Sequence, residues 1–160
     1  MKTSSLKLGL IALAALVGTG AAHADHRRSH GLFKNVVRLE QTGHGNGAAQ
    51  AQTGAGNTSA IAQTGVANTG TTNQTGVNNT AVIGQKGVNN NAGITQTGSN
   101  NQGCLLQVGN NLDAQMTQTG GGSANVLQTN KGAAVVSEQV CVLGGQEKGR
   151  MSRLVRIATN

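Results

Sequence analysis

The stretch Gln74-Thr-Gly-Val-Asn-Asn-Thr-Ala-Val-Ile-Gly-Gln85 decides the fold, because its pattern returns along the chain every eleven residues. Eight glutamines keep this register, namely Gln41, Gln52, Gln63, Gln74, Gln85, Gln96, Gln107 and Gln118. Most of them open the phrase Gln-Thr-Gly-x-x-Asn. A strict short period indicates that one small unit is stacked many times and that each copy is supported by its neighbours.

Within each unit, alternate residues share a chemical type, which is typical of a β-strand. In the unit quoted above, the alternating residues are Asn79, Ala81, Ile83 and Gln85. The phrase Thr-Gly-Val-Asn between strands predicts a turn, because Gly and Asn tolerate a positive φ. The sequence therefore predicts an all-β fold, a parallel β-solenoid of about eleven-residue strand-turn units with two units in each coil.

The two parallel sheets of such a solenoid face each other across a thin interior. The residues predicted to form its core are Ile61, Ile83, Ile94, Leu105 and Met116, packed beside small side chains. Amide side chains at the corners are predicted to stack on identical residues about 4.8 Å away and to form ladders. The predicted ladder contains the eight glutamines together with Asn46, Asn57, Asn68, Asn79, Asn90 and Asn101.

The ends of a solenoid expose strand edges, and such edges pair readily with another chain. Soluble solenoids close their ends with atypical terminal repeats. The sequence therefore predicts that this fold is amyloid-forming and that its partner is another copy of itself.

The composition excludes an ordinary globular core. Phe33 is the sole aromatic residue, and the chain has no Pro, Trp or Tyr. Large apolar side chains supply most of the free energy of burial in such cores. Because the repeat keeps its register, we expect order from backbone hydrogen bonds and stacked amides rather than disorder.

The first 24 residues have the pattern of a secretory signal peptide. Lys2 and Lys7 precede an apolar run at residues 8–17, and Ala22-His23-Ala24 supplies a cleavage site. That run is too short to span a bilayer, so no stable membrane insertion is expected. The predicted regions are a signal peptide at 1–24, an N-terminal basic flank at 25–40, a repeat solenoid at 41–147 and a basic C-terminal tail at 148–160.

Positive charge is concentrated in the two flanks. Residues 41–147 hold two cations and three acids, a net charge of −1. The flanks carry Arg27, Arg28, Lys34 and Arg38 before the repeats, and Lys148, Arg150, Arg153 and Arg156 after them. Without stacking aromatics or a recognition helix, no nucleic-acid partner is expected. The flanks are expected to influence export, nucleation or attachment to acidic surface polymers.

Cys104 and Cys141 are the two cysteines, and export permits a disulfide between them. They occupy different places in the repeat, the ninth position and the third. Their spacing is therefore compatible both with a disulfide between them and with two free thiols.

The phrase Gln-x-Gly-x-x-Asn-x-Ala-x-x-x-Gln resembles the curlin repeat of bacterial curli fibres. Near-complete copies run from Gln74 to Gln85 and from Gln85 to Gln96, and the segment from Gln41 to Gln52 also fits. The resemblance covers roughly residues 41–139. The chain departs from the family in the absence of aromatic residues from its repeats.

The resemblance implies an extracellular amyloid subunit of a Gram-negative bacterium, acting in cell adhesion and biofilm matrix. The implied partners are the chain itself, other curlin subunits and an outer-membrane secretion pore. The tail from Arg150 to Ile157 is similar to the charged terminal repeat of the minor, nucleating subunit. The resemblance is compatible with either role, the major subunit or the nucleator.

No catalytic, cofactor or metal site is predicted. His26 and His30 have a metal-compatible spacing only if their segment is helical. Asp113 has no carboxylate nearby in the sequence for acid–base work. The Gly-rich turns lack the Gly-Lys-Ser/Thr of a phosphate-binding loop.

A soluble surface-binding solenoid, adhesive or ice-binding, is the alternative function. Threonines that follow the repeat glutamines would form an outer row, which Lys86 and Val108 interrupt. The members of this row are Thr42, Thr53, Thr64, Thr75, Thr97 and Thr119.

Overall fold

The structure, a computed structural model, describes residues 34–137. This part of the chain forms ten β-strands joined by very short bends. The strands are β1 (Val36–His44), β2 (Gly47–Ala55), β3 (Thr58–Val66), β4 (Thr69–Val77), β5 (Thr80–Val88), β6 (Asn91–Ser99), β7 (Asn101–Asn110), β8 (Asp113–Thr119), β9 (Gly122–Thr129) and β10 (Gly132–Val135).

The strands alternate between two sheets, as a two-strand coil requires. Sheet A has the order β1-β3-β5-β7-β9-β10, and sheet B has the order β2-β4-β6-β8. Within both sheets, strands β1 to β8 pair in parallel with residue i opposite residue i+22, as Ile61 opposite Ile83 illustrates. The structure confirms the predicted parallel β-solenoid with two eleven-residue units per coil.

Strand pairing between coils continues through the phrase that was predicted to be a turn. In β5 the strand continues past Gln85 and Gly87 to Val88. Pairing between successive coils persists there, so Gly65 lies opposite Gly87 and Val66 opposite Val88. The chain nevertheless reverses its direction here, since Gly87 and Asn89 both have a positive φ. Pairing continues through the reversal because the arcs of successive coils stack on each other.

The solenoid begins earlier than the sequence indicated. Strand β1 starts at Val36, inside the segment 25–40 that was assigned to the N-terminal flank. Its residues pair with β3 in the same 22-residue register, so Leu39 lies opposite Ile61. The earlier start arises because pairing in a stacked coil depends on the register of the strand, whereas the repeat motif becomes recognisable only at Gln41.

The interior is a narrow column of alternating strand residues. Its fully enclosed apolar members are Ile61, Ala81, Ile83, Ala92, Ile94 and Leu105. Met116 packs against this cluster from the last coil and is half-buried. In sheet B, the equivalent inward positions of the first two coils are polar, at Gln50 and Thr72. The Thr72 hydroxyl forms a hydrogen bond of 2.5 Å with the hydroxyl of Ser59 across the interior.

The parallel pattern ends after β9, because β10 pairs with β9 in antiparallel fashion. The two residues Asn130 and Lys131 connect these strands. In earlier units the second residue after the repeat glutamine is a glycine with positive φ, such as Gly109 at 148°. Asn130 holds this place after Gln128 and does not adopt a positive φ. Without that glycine the usual arc is not formed, and the chain folds back as a hairpin.

Candidate assembly interface

The inward glutamines form two continuous ladders. In sheet A the ladder runs through Gln41, Gln63, Gln85, Gln107 and Gln128, and in sheet B through Gln52, Gln74, Gln96 and Gln118. On every step, Nε2 of one glutamine donates to Oε1 of the next at 2.6–2.9 Å. The five glutamines from 63 to 107 are at most 1% exposed. A buried amide is tolerated there because the next coil supplies its hydrogen bonds.

From Gln52 onward, the amide of each ladder glutamine also donates to the main chain. Gln63 donates to the carbonyl oxygen of Gly47 at 2.8 Å, and Gln85 donates to that of Thr69 at 2.9 Å. The same contact, to the residue 16 positions earlier, recurs at Gln52, Gln74, Gln96, Gln107 and Gln118. The glutamines therefore connect neighbouring coils and also close each coil on itself.

The asparagines that follow the arcs form two further ladders. Along the first, the backbone N–H of Asn68 donates to Oδ1 of Asn46, and that of Asn90 to Oδ1 of Asn68, at 3.0 and 3.2 Å. The other ladder runs through Asn57, Asn79 and Asn101 with equivalent bonds. Each Asn Nδ2 from 46 to 90 also donates to a glycine carbonyl of the next coil. The Asn/Gln ladders of the fold are thus present.

One rung of an asparagine ladder, Asn35, was not among the predicted residues. Asn35 accepts a hydrogen bond from the backbone N–H of Asn57 at 2.9 Å, and its Nδ2 donates to the carbonyl of Gly54. Asn35 could have been found from the sequence, because it precedes Asn57 by 22 residues, the length of one coil. At the other end, Leu112 occupies the asparagine place, where its backbone N–H still bonds to Oδ1 of Asn90. The side-chain ladder stops there.

Two backbone positions in every arc explain the small residues of the repeat. The glycine two places after each ladder glutamine has a φ between 82° and 148°, from Gly43 to Gly120. A Cβ added at Gly87 would collide with the carbonyl oxygen of Gly109 in the next coil. The residue four places after each of these glutamines also has a positive φ. It is Gly or Asn in every arc except one, where Ala67 has a φ of 55°. Both constraints follow from stacking one arc on another.

The two ends of the stack present different strand edges. At the N-terminal end, β1 and β2 each have a neighbour on one side only among the ten strands. At the C-terminal end, β8 is the edge of sheet B, and β10, which pairs with β9 in antiparallel fashion, is the edge of sheet A. Unpaired N–H and C=O groups on such edges are templates for another chain.

The outer threonines divide between the two sheets instead of forming one row. In sheet B, Thr53, Thr75, Thr97 and Thr119 lie in register without interruption. The residues that break the row, Lys86 and Val108, continue the sheet A series after Thr64. The predicted single interrupted row is therefore corrected, because consecutive units lie in opposite sheets.

A small apolar cluster lies on the outer face of sheet A, around Cys104 and Leu106. Val82, Leu127 and Val136 pack against it. Cys104 is disulfide-bonded, which excludes a free thiol at this residue. Cys141 lies outside the described residues, as do the predicted signal peptide, the predicted basic tail, His26 and His30.

Charge contributes little to this part of the chain. Arg38 and Glu40 form an ion pair of 3.6 Å with both side chains exposed, and such surface pairs contribute little stability. In residues 34–137 no group of three or more His, Cys, Asp or Glu converges as a metal site. The same residues contain no helix long and apolar enough to cross a membrane.

Comparison with protein families gives two matches to one model, described as curlin associated repeat. The matched residues are 67–98 and 87–120, which include β5 and β6 completely. Residues 67–120 are therefore similar to the curlin associated repeat. Comparisons with curated proteins and with solved structures find no match.

Proposed function

We propose that the chain is a secreted structural subunit that assembles into curli-like amyloid fibres for cell adhesion and biofilm matrix. The observation that supports this most strongly is the pair of glutamine ladders running through a stack whose terminal strands, among residues 34–137, have unpaired edges. Each new coil satisfies the amides of the previous one, so another copy at an end continues the same bonding.

The test is aggregation of the purified chain without residues 1–24, diluted from denaturant. Fibres that bind thioflavin and give a reflection near 4.7–4.8 Å are expected. A chain that remains a folded, β-rich monomer at high concentration would contradict the proposal. A matched control is a variant with Gln85 and Gln107 replaced, which interrupts the ladder of sheet A, leaves the ladder of sheet B intact and changes the composition little.

We further propose that the subunit reaches the cell surface through an outer-membrane pore and joins other curlin subunits there. The cationic residues of the flanks are proposed to hold acidic surface polymers by charge. The curlin-associated repeats and the sequence of the basic tail support this. Fibre attachment to an acidic polysaccharide should weaken as salt rises, because surface charges are screened over about 8 Å at physiological ionic strength.

The roles of major subunit and nucleator are separated by a seeding experiment. A nucleator at a low molar ratio should abolish the lag phase of a major curlin subunit, whereas a major subunit should polymerise without help. Replacement of Arg150, Arg153 and Arg156 by Gln tests whether the tail supplies the nucleating activity.

The uninterrupted threonine row of sheet B favours one competing function, a soluble surface-binding solenoid. Thr53, Thr75, Thr97 and Thr119 repeat at the spacing of the coils. Thermal hysteresis caused by the monomer would support ice binding in place of fibre assembly. Replacement of Thr97 by Lys should abolish that activity and leave fibre formation intact.

A further inference from the structure

The outer faces of the two sheets differ in how far they are shielded from solvent. The residue one place before each ladder glutamine lies on the outer face, because the glutamine side chains point inward and alternate residues lie on opposite faces. In sheet B these outer residues are all exposed, namely Ala51, Asn73, Thr95 and Thr117. In sheet A, from β3 to β9, they are half-buried or buried, namely Ala62, Gly84, Leu106 and Leu127.

The most deeply shielded residues of this outer face belong to β7. Cys104 is 2% exposed and Leu106 is 6% exposed, although both lie on the outer side of the strand. Val82 and Leu127 pack against them from the neighbouring strands. An apolar face of a sheet is stable when another layer of the protein lies on it, so this cluster requires a covering segment.

The described chain already begins to supply that cover at Val136. After β10, the backbone N–H of Val136 donates to the carbonyl oxygen of Asn125 at 3.0 Å. Asn125 lies opposite Cys104 in the pairing of β7 with β9, and Val136 packs against the cluster. The chain therefore continues beyond residue 137 from the same face and beside the same cysteine.

A covalent bond is the second observation. Cys104 is disulfide-bonded, and the chain has two cysteines, so within one molecule the partner of Cys104 is Cys141. Val136 lies two strand positions from Cys104, which corresponds to about 10 Å. The five residues from Val136 to Cys141 can span up to about 17 Å, so Cys141 can reach Cys104 without any change in β9 or β10.

The sequence around Cys141 has the chemistry that the cluster requires. Cys141 lies between Val140 and Val142, and Leu143 follows. These residues are uncharged and apolar, as are the residues of the cluster. Removal of both apolar surfaces from water favours their contact.

We propose that residues 138–143 cover the apolar cluster on the outer face of sheet A and that a disulfide between Cys141 and Cys104 holds them there. The bond forms by thiol–disulfide exchange, in which the two thiols of the chain are oxidised to one disulfide and a disulfide oxidant is reduced to two thiols. The loop that it closes contains β10, so the bond restricts the open states in which β10 leaves β9. Reduction should release the segment and expose the cluster. The inference does not depend on fibre formation.

Peptide mapping tests the pairing directly. Trypsin cleaves after Lys86, Lys131 and Lys148, so the two cysteines fall in separate peptides, 87–131 and 132–148. The full chain digested without reductant should yield these peptides joined to each other. When ¹⁵N-labelled and unlabelled chains are reduced, mixed and reoxidised together, the joined peptides should carry the same label. Peptides of mixed label, a Cys104–Cys104 pair or two unlinked peptides would overturn the proposal.

Hydrogen exchange tests whether the bonded segment covers the sheet. In reduced chain and in a Cys141→Ser variant, amides of β10 should exchange at least about tenfold faster than in the oxidised chain, whereas those of β6 should change by less than about twofold. Binding of ANS, a dye for exposed apolar surface, should rise in parallel. Unchanged exchange in β10 and unchanged dye binding would show that the bond does not hold a covering segment.

Two matched variants test the contact with the cluster, Leu106→Lys and Thr95→Lys. These residues hold the same place before a ladder glutamine, but in opposite sheets. With oxidised glutathione as the oxidant, reduced L106K should form the disulfide at least about tenfold more slowly than wild type, because the segment no longer rests beside Cys104. T95K should form it within about twofold of the wild-type rate. Equal rates in two variants that circular dichroism shows to be folded would contradict docking on the cluster, and the Cys141→Ser measurement stands if L106K does not fold.

Discussion

The first two coils, β1 to β4, and the next two, β5 to β8, use one repeat but have different interiors. In sheet B the inward apolar place is held by Gln50 and Thr72 in the first pair, and by Ile94 and Met116 in the second. The fully enclosed aliphatic cluster accordingly centres on the later coils. The amide ladders pass through both halves unchanged. Hydrogen bonding therefore sets the register of the strands, and apolar packing sets the local stability of each coil.

This difference predicts that the N-terminal half opens more readily than the centre. Apolar burial contributes about 25 cal/mol per Å². In β2, the Oε1 atoms of Gln50 and Gln52 are enclosed and have no hydrogen-bond partner within residues 34–137, and each such atom costs about 1–3 kcal/mol. Both terms favour the later coils. Amide hydrogen exchange should accordingly be faster in β2 than in β6.

The largest effect is expected from Gly87→Ala. The new Cβ would meet the carbonyl oxygen of Gly109, and φ of 132° is unfavourable for alanine. We expect a loss of about 4 kcal/mol in the free energy of unfolding, or a failure to fold. Gly120→Ala is the matched control, because Gly120 holds the same place in the last arc at φ 82° and nothing lies within 4 Å of an added Cβ. Equal losses in chemical denaturation would show that stacking of the arcs does not restrict this position.

A smaller loss is expected from Gln85→Ala. The change leaves the amide of Gln63 without its acceptor and Oε1 of Gln107 without its donor, all in enclosed surroundings. A loss of about 2–4 kcal/mol in the free energy of unfolding follows. The end-coil variant Gln118→Ala should cost only about 1 kcal/mol, since that side chain is partly exposed. Similar costs at both sites, measured by urea unfolding, would contradict a cooperative ladder.

Gln50→Leu should make the first coil resemble the centre. The substitution removes an enclosed oxygen that has no partner within residues 34–137 and places an apolar group in the core column. It also removes the bond from Nε2 of Gln50 to the carbonyl of Arg38, so the net gain expected is about 1 kcal/mol. Hydrogen exchange in β2 should slow accordingly. A destabilised monomer would mean that the oxygen is solvated or that the Arg38 contact dominates.

The smallest effect is expected from Ala67→Gly. Ala67 is the one left-handed residue of the arcs that is neither Gly nor Asn, and its side chain is exposed. Removing the Cβ relieves a cost of about 1–2 kcal/mol but adds backbone entropy to the unfolded chain. The expected net gain is about 0.5 kcal/mol, measured as a shift in the urea midpoint. Ala60→Gly, in the middle of β3, is the control and should destabilise the protein.

The period of eleven residues was enough to predict the coil, the two sheets and the glutamine ladders, because a stacked fold repeats its chemistry at each step. It did not predict where the stack begins, since β1 pairs by register from Val36 before the motif is recognisable. Nor did it predict β10, whose reversal depends on the absence of one glycine at Asn130. The direction of the amides depends on main-chain contacts that sequence spacing does not contain.

The most direct test of the stacked-coil structure is a ¹³C–¹³C distance measurement between Ile83 and Leu105 in fibres diluted with unlabelled protein. These residues are opposite each other in β5 and β7 of the same chain. We expect a backbone distance of about 4.8 Å, the spacing of neighbouring strands, and we expect it to survive dilution. Loss of this contact on dilution, with Ile83 lying instead against Ile83 of another molecule, would contradict a solenoid and indicate conventional in-register stacking of separate chains.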